Sequence, residues 1–295
     1  MHIQLRDCQM EFEDTGGDGC PLLLIHGYPL NHAMWRPQIE GLADVARLIA
    51  PDLRGFGGSQ ATPAPYSMDM LAGDCCALLD ALGVTRPVVV CGLSMGGYIA
   101  FAFYRRYATR VAGLILTATR ATPDSPETRA TRLKSAEFVR NSADGVSAMA
   151  RAMLLSLLSS QSHQARPELV EQTRAMMENA SVEGIVGALL GMRERPDSTP
   201  LLAQIDKPVL VVHGADDSIV PLAEALAMQA AIKDARLVVS PGAAHLPNLE
   251  QPELFNAAVR EFLGHSPGVP PSQCPARPRC YAAERASDGQ GMHLR

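Results

Sequence analysis

Short apolar runs alternate along the chain with longer segments in which apolar residues recur at helical spacing. The strand-length runs are residues 21–25, 47–50, 87–91, 114–116, 208–212 and 237–239. Most of them are apolar at successive positions, as expected for strands that helices cover on both faces of a parallel sheet. The alternation therefore predicts an α/β chain with a doubly wound, mostly parallel sheet.

Amphipathic segments separate these runs, and residues 67–83 are the clearest of them. Ser67 can cap that helix and Gly83 can end it. The alternation stops between residues 121 and 204, where helical patterns at 132–140, 143–158, 168–179 and 182–192 occur without a convincing strand. We interpret this stretch as an inserted helical cap. Its Met149 and Met153 are candidate pocket residues as well as candidate core, because methionine adapts to irregular surfaces.

The predicted organisation has four parts. Residues 1–120 and 205–264 form the α/β core, and residues 121–204 form the cap. Residues 265–295 are rich in Pro, Ser, Arg and Gly and have no periodic apolar stripe, so we expect a flexible tail without an assigned function.

Composition excludes several classes of protein. Of the 295 residues, 47% are hydrophobic and 19% are charged, a composition that supplies enough apolar residues for a buried core. The net charge is −5, and no basic face that could bind a nucleic acid is expected. The N-terminus is too charged for a secretory signal, and no apolar run reaches the ~20 residues that span a bilayer. Seven cysteines, an odd number without C-x-x-C spacing, indicate free thiols and a cytoplasmic location.

The strongest local motif is Gly92-Leu93-Ser94-Met95-Gly96-Gly97, which has the G-x-S-x-G pattern between a predicted strand and a helix. Such a turn places a serine hydroxyl at the edge of the sheet and at the N-terminus of a helix, where a developing anion is stabilised. A phosphate-binding turn would need a following Lys-Ser/Thr, which is absent. Ser94 is therefore the predicted nucleophile.

A serine nucleophile needs a base, and the base needs a carboxylate to orient it. His245 lies in a loop after the last predicted strand, at the same sheet edge as Ser94. The loop after the preceding strand contains Asp216 and Asp217, and the residues alone do not choose between them.

Five motifs in order resemble the α/β-hydrolase superfamily, in particular its esterase, enol-lactonase and cofactor-free haloperoxidase-like group. The resemblance covers residues 22–263 and rests on Leu24–Pro29, Asp52–Ser59, Gly92–Gly97, His213–Pro221 and Gly242–His245 followed by Leu249–Pro252.

The resemblance implies roles for further residues. The family pattern G-x-x-D-x-x-x-P matches Gly214 and Pro221 and favours Asp217 as the acid. The oxyanion hole of the family corresponds to the backbone N–H groups of Met95 and Tyr28, which leaves the Tyr28 side chain to line the substrate pocket. Pro29, also a candidate pocket residue, matches a proline that relatives associate with perhydrolysis, which we treat as a side activity.

We therefore expect a carboxylesterase that forms an acyl-enzyme on Ser94, with a small ester or lactone as its substrate. A lactonase or enol-lactone hydrolase is the first alternative. A carbon–carbon bond hydrolase would need basic residues near the pocket, for which Arg120, Arg129, Arg132 and Arg193 are available. A ligand receptor on a hydrolase scaffold is the remaining alternative. No cofactor, metal, nucleic acid or membrane partner is expected, while the natural substrate and a homo-oligomeric state stay open.

Overall fold

The structure, a computed structural model, describes residues 1–265 and contains an eight-stranded sheet in the order β1-β2-β4-β3-β5-β6-β7-β8. The pairs β1/β2 and β2/β4 are antiparallel and the other neighbours are parallel. This confirms the predicted doubly wound, mostly parallel sheet. The strands are β1 (His2–Gln4), β2 (Gln9–Asp14), β3 (Cys20–Ile25), β4 (Ala46–Pro51), β5 (Val88–Leu93), β6 (Val111–Thr117), β7 (Val209–Gly214) and β8 (Ala235–Ser240).

Twelve α-helices connect and cover these strands in the described part of the chain. None of them is long and apolar enough to cross a membrane. The helices are α1 (Arg36–Leu42), α2 (Met68–Ala81), α3 (Met95–Tyr107), α4 (Pro126–Asn141), α5 (Gly145–Leu157), α6 (Ser160–Ala165), α7 (Pro167–Glu178), α8 (Val182–Arg193), α9 (Thr199–Leu202), α10 (Leu222–Ala231), α11 (Pro247–Glu250) and α12 (Pro252–His265).

The apolar core has two layers, one on each face of the sheet. In β3, Leu23 and Ile25 belong to one layer, and Leu22 and Leu24 belong to the other. This two-sided burial explains why the central parallel strands are apolar at most positions. The antiparallel β1 and β2 were not predicted, because their polar and apolar positions alternate, whereas the prediction used runs that are apolar at successive positions.

Between β6 and β7 the chain forms α4 to α9 and no strand, and α4 packs on α8 while α5 packs on α7. We call α4–α8 the helical segment. Helix α4 begins at Pro126 rather than at residue 132, because its first turn is polar and follows the N-cap Ser125. Helices α6 and α9 were not predicted, because six and four residues are too few to show a period.

The described cysteines are free, and all except the half-buried Cys20 are buried. Cys274, Cys280 and the rest of the predicted tail at 266–295 lie outside the described residues.

Candidate active site

Ser94 occupies a sharp turn between β5 and α3. Its backbone has φ 53° and ψ −111°, a region that residues with a side chain rarely adopt. Its amide donates to the Thr117 carbonyl at 2.9 Å, and its carbonyl accepts from Thr119 Oγ1 at 2.8 Å. These bonds hold the half-buried Ser94 at the N-terminus of α3, where the helix dipole favours negative charge.

Two glycines make this turn sterically feasible. A Cβ on Gly92 would lie 2.1 Å from the Gly96 carbonyl oxygen, and a Cβ on Gly96 would lie 2.2 Å from the Ile25 carbonyl oxygen. Both atoms are backbone and neither can move aside. The G-x-S-x-G spacing is therefore imposed by the close approach of β5, α3 and the end of β3.

His245 and Asp217 meet at the same edge of the sheet, from the loops after β8 and β7. Asp217 Oδ2 lies 2.8 Å from His245 Nδ1, and both side chains are almost fully buried. Asp217 Oδ1 accepts hydrogen bonds from the amides of Ile219 at 2.8 Å and Val220 at 3.0 Å. Burial by itself would raise the pKa of Asp217, but the hydrogen bond with His245, together with these two amides, more than offsets it and holds the pKa below its usual value.

The neighbouring Asp216 is exposed, and its amide donates to the Ala243 carbonyl. Geometry thus brings Asp217, and not Asp216, to His245. Among the described residues the Ser94 hydroxyl takes part in no hydrogen bond, so His245 is joined to Asp217 but not to Ser94. Bonds of this kind between nucleophile and base commonly tighten only when substrate is bound.

His213 also lies beside Asp217 but differs from His245. Its Nε2 is 2.9 Å from the Val220 carbonyl and 3.7 Å from Asp217 Oδ2. Burial lowers the pKa of His213, and its buried Nδ1 has no hydrogen-bond partner. The His213 ring therefore supports the loop that contains Asp217 and is buried beneath it.

The backbone amides of Tyr28 and Met95 both lie near Ser94. A Cβ on Gly27 would lie 3.6 Å from the Ser94 Cβ, so the turn that contains Tyr28 lies against the serine. Met95 is the first residue of α3. Within residues 1–265, neither amide donates a hydrogen bond to the protein, which leaves both available to an oxyanion.

A buried histidine fixes the Tyr28 turn. His26 Nε2 accepts from the Leu53 amide at 2.9 Å, and its Nδ1 lies 3.0 Å from the Gly27 carbonyl. These partners require a neutral ring with its proton on Nδ1. Burial lowers the pKa of His26 to about 4, so the ring stays neutral well below pH 7.

The four predicted pocket residues lie in two places. Tyr28 and Pro29 follow β3 and are buried, and Met149 and Met153 lie on α5. The Tyr28 hydroxyl donates to Met149 Sδ at 2.9 Å, which brings α5 over the turn. Met153 is half-buried and packs against both apolar layers. Tyr28 and Met149 are therefore in contact, and Met153 lies one helical turn further along α5.

A buried carboxylate in the Leu249–Pro252 motif, to which the sequence analysis assigned no role, joins the histidine loop to the helical segment. Glu250 Oε1 accepts from the Ala244 amide at 2.7 Å, and its Oε2 accepts from the Ser159 amide at 2.8 Å and the Ser162 hydroxyl at 2.7 Å. The His245 amide also donates to the Leu157 carbonyl at 3.2 Å. The loop of the histidine and the α5–α6 junction thus form one hydrogen-bonded unit.

One further group of potential metal ligands lies in a groove of about 730 Å³ under α7. The ligand atoms of Glu11, His32 and Asp52 lie within 4.8 Å of one another. Asp52 accepts from the His32 amide and Nδ1, both at 2.7 Å, and from the Gly58 amide at 2.9 Å. The hydrogen bond with Asp52 raises the pKa of His32. Because these donors saturate the carboxylate, the group fits a structural His–Asp pair better than a metal centre.

Known proteins share this architecture. The family described as alpha/beta hydrolase fold matches residues 21–252. The structure of a thermophilic esterase from Thermogutta terrifontis, with malate bound, is 45% identical, covers 89% of this chain and 98% of its own, and gives a TM-score of 0.86. The enol-lactonase from Burkholderia xenovorans LB400 is 28% identical with a TM-score of 0.83, over 90% of this chain and 100% of its own.

A sequence relative agrees with these structures. The 3-oxoadipate enol-lactonase 2 of Acinetobacter baylyi is 29% identical over 262 residues, which are 88% of this chain and 95% of that protein. Together with the fold and the geometry at the sheet edge, these matches place the chain in a family of hydrolases. The chain belongs to the α/β-hydrolase family, in the group that contains esterases, enol-lactonases and non-heme haloperoxidases.

Proposed function

We propose that the protein is a carboxylic ester hydrolase that forms an acyl-enzyme on Ser94. The observation that carries the proposal is the 2.8 Å bond between His245 Nδ1 and Asp217 Oδ2 at the edge where the strained Ser94 turn lies. The relatives named esterase and enol-lactonase support the same class of bond.

In the proposed mechanism Ser94 Oγ attacks the ester carbonyl while His245 Nε2 takes the serine proton. Asp217 holds the imidazole with its proton on Nδ1 and stabilises the imidazolium that forms. The amides of Tyr28 and Met95 donate to the oxyanion of the tetrahedral intermediate. His245 then gives its proton to the leaving alcohol, and water activated by His245 releases the acid and restores Ser94.

The test is hydrolysis of 4-nitrophenyl acetate, butyrate and octanoate by the wild type and by Ser94→Ala. We expect turnover of the short esters by the wild type and a loss of about 10⁴-fold or more in kcat in the variant, because no other group supplies the nucleophile. Ser160→Ala, at an exposed position on α6, is the matched control and should keep wild-type activity.

Equal activity of wild type and Ser94→Ala would contradict the proposal. A single burst of 4-nitrophenol without turnover would instead favour a ligand receptor built on a hydrolase scaffold. Both outcomes are read from the progress curves of the two proteins, each at a known enzyme concentration.

Lactone opening is the second candidate, since a sequence relative and a structural relative are both named as enol-lactonases. The same residues open an ester within a ring, and the leaving alcohol then stays attached to the acyl group. A higher kcat/KM for a lactone than for 4-nitrophenyl butyrate would put this substrate class first.

A further inference from the structure

The segment that follows β6 packs directly against the Ser94 turn. Ala118, the first residue after β6, is fully buried and has φ 45°. Its amide donates to the Val212 carbonyl at 2.9 Å, which ties this position to β7. In residues 1–265, Ser94 and Ala118 are the two residues other than glycine with a positive φ. Backbone strain of this kind is typical of functional sites.

Thr119 follows this strained position and contacts the turn with its hydroxyl. The side chain is fully buried, and Oγ1 donates to the Ser94 carbonyl at 2.8 Å. On the other side of Ala118, the Thr117 carbonyl accepts from the Ser94 amide at 2.9 Å. The segment after β6 thus holds Ser94 by both of its backbone polar groups, and the strained Ala118 lies between the two bonds.

Gly97, the last glycine of the Gly92–Gly97 motif, makes room for Thr119. A Cβ on Gly97 would lie 2.4 Å from Thr119 Oγ1 and 2.5 Å from Thr119 Cβ and Cγ2. A larger residue at position 97 would therefore push the threonine away from the Ser94 carbonyl. The G-x-S-x-G pattern itself ends at Gly96, so Gly97 and Thr119 form a second close contact of the turn that this pattern does not include.

The Ser94 carbonyl belongs to the same peptide group as the Met95 amide. This peptide bond is trans, so its C=O and N–H point in opposite directions. Because the group is planar, a bond that fixes the direction of the C=O also fixes the direction of the N–H. A donor on the carbonyl oxygen also polarises the group and makes the N–H a stronger donor. Thr119 therefore acts on one of the two amides that are available to an oxyanion.

The other donors to the Ser94 carbonyl come from α3 itself. The amides of Gly97 and Tyr98 donate to it at 2.9 Å and 3.3 Å. Thr119 Oγ1 is the one side-chain donor to this oxygen in the described part of the chain, and it belongs to the segment after β6. The hydroxyl thus joins the Ser94–Met95 peptide group to the sheet, whereas the two amides join it only to the helix that it begins.

We propose that Thr119 is a positioning residue of the oxyanion hole, which fixes and polarises the Ser94–Met95 peptide group so that the Met95 amide is a stronger donor. Thr119 acts only through this group, because its side chain is fully buried. The charge on the oxyanion develops only in the transition state, so the effect should fall on kcat and not on KM. This inference rests on the proposed hydrolase function and adds a residue to it.

The first test compares Thr119→Val, which removes the hydroxyl and keeps the size, with Thr119→Ser, which keeps the hydroxyl. With 4-nitrophenyl butyrate, Thr119→Val should lower kcat by about tenfold and change KM by less than about twofold, because the Met95 amide is weakened but not removed. Thr119→Ser should keep kcat within about threefold of the wild type, since its hydroxyl can still donate to the carbonyl.

Thr173→Val is the matched control. Thr173 on α7 is also fully buried, and its hydroxyl donates to the Leu169 carbonyl, again at 2.8 Å. This variant should keep the kcat and KM of the wild type, which separates an effect on the oxyanion hole from the loss of a buried hydroxyl elsewhere. Wild-type kcat in Thr119→Val would overturn the inference, and so would equal losses in Thr119→Val and Thr119→Ser.

A pair of ketones measures the oxyanion hole itself. Ser94 Oγ adds to the carbonyl carbon of 1,1,1-trifluoroheptan-2-one while its proton passes to His245, and the adduct carries an oxyanion. Heptan-2-one has the same chain and binds without an adduct. Thr119→Val should raise the inhibition constant of the trifluoro ketone by about tenfold, in parallel with the fall in kcat, and leave that of heptan-2-one within about twofold. Equal changes for both ketones would indicate a general disturbance of the pocket and overturn the inference.

Failure of the proposed hydrolase function gives a different result. If the wild type does not hydrolyse 4-nitrophenyl butyrate, calorimetric titration with the two ketones still tests the oxyanion hole. A preference of the wild type for the trifluoro ketone that is weaker in Thr119→Val would support the inference without turnover. Equal preferences in the two proteins, or no preference in the wild type, would overturn it.

Discussion

The carboxyl edge of the sheet and the helical segment above it are built in different ways. At the edge, backbone meets backbone: Gly96 lies against the end of β3, Ser94 has a positive φ, and the Tyr28 turn lies against the serine. Helices α4 to α7 of the helical segment are connected mainly by side chains, through Asp124, which accepts from Arg132 and Arg195, and through Glu250, which accepts from Ser159 and Ser162. Of these described helices, only α8 meets the core in the same way as the edge, where Gly184 lies against the backbone of Gly55.

This difference determines how each region responds to change. Where an added Cβ would lie about 2 Å from a backbone atom, only glycine fits the position. A hydrogen bond between side chains, in contrast, can be lost and partly replaced by a hydrogen bond to water. Substitutions at the carboxyl edge of the sheet should therefore have larger effects on activity or stability than substitutions in the side-chain contacts of the helical segment.

The largest effect is expected for Asp217→Asn. The amide would favour the wrong tautomer of His245 and could not stabilise the imidazolium, so kcat for 4-nitrophenyl butyrate should fall by about 10⁴-fold, as for the buried aspartate of serine proteases. Asp216→Asn changes the same charge one residue earlier, on an exposed side chain, and should keep kcat within twofold. Similar losses in both variants would show that the loop, and not the Asp217 carboxylate, is what matters.

Gly96→Ala should follow, with a loss of about 3 kcal/mol or more in the free energy of unfolding, because the new methyl group meets a backbone oxygen in a packed core. Urea denaturation followed by circular dichroism measures it. Gly73→Ala on α2 is the control, since its Cβ would meet only the Tyr107 hydroxyl at 3.7 Å and should be neutral or stabilising. A stable, active Gly96→Ala protein would disprove the steric account of the turn.

His26 should make the edge sensitive to acid. Its pKa is about 4 in the folded protein and about 6.5 when unfolded, so the unfolded chain takes up the proton first as the pH falls. Stability should decrease between pH 6.5 and pH 4 by up to about 3 kcal/mol from this residue. His26→Gln should flatten that slope, while His2→Gln, at an exposed position, should not. Identical slopes in wild type and His26→Gln would contradict the assignment.

The smallest effect is expected for Glu250→Gln, which lies where the His245 loop is bonded to the α5–α6 junction. In the variant, an amide NH2 group replaces one carboxylate oxygen and faces a backbone amide or a hydroxyl that is also a donor. The free energy of unfolding, measured by heat or urea, should therefore fall by about 1–2 kcal/mol. Glu253→Gln, exposed on the first turn of α12, should change stability by less than about 0.5 kcal/mol. If Glu250→Gln lowered the free energy of unfolding as much as Gly96→Ala does, the distinction between the two regions would be wrong.

The same difference explains what the sequence predicts well. The Ser94 turn can be predicted from the sequence because the glycines that it requires lie within a few positions of Ser94. The central parallel strands can be predicted because both of their faces are buried. Asp216 and Asp217 are equivalent as chemistry, since only the direction of each side chain in the folded loop separates them.

The contacts of Glu250 and Asp124 were not predicted, for a further reason. Ser159 and Glu250 are 91 positions apart, and Asp124 and Arg195 are 71 apart. The pattern of polar and apolar residues near such a carboxylate does not identify its partners. In the sequence, a buried carboxylate looks the same as a solvated one until its hydrogen-bond donors are known. Strands β1 and β2 were missed since neither is buried on both faces.

The hydrogen bonds of Glu250 have a consequence for how substrates enter. If the helical segment swung away as a rigid body, it would break the bonds from Ser159 and Ser162 and the bond between the Leu157 carbonyl and the His245 amide. If those bonds held, His245, the proposed base, would move together with the helical segment. Helix α8 is held to the core as well, because the Tyr66 amide donates to the Gly187 carbonyl. We therefore expect substrates to enter by displacement of α4. An acyl chain long enough to displace the α5–α6 junction should slow its own hydrolysis, so that selection for chain length would act in the catalytic step.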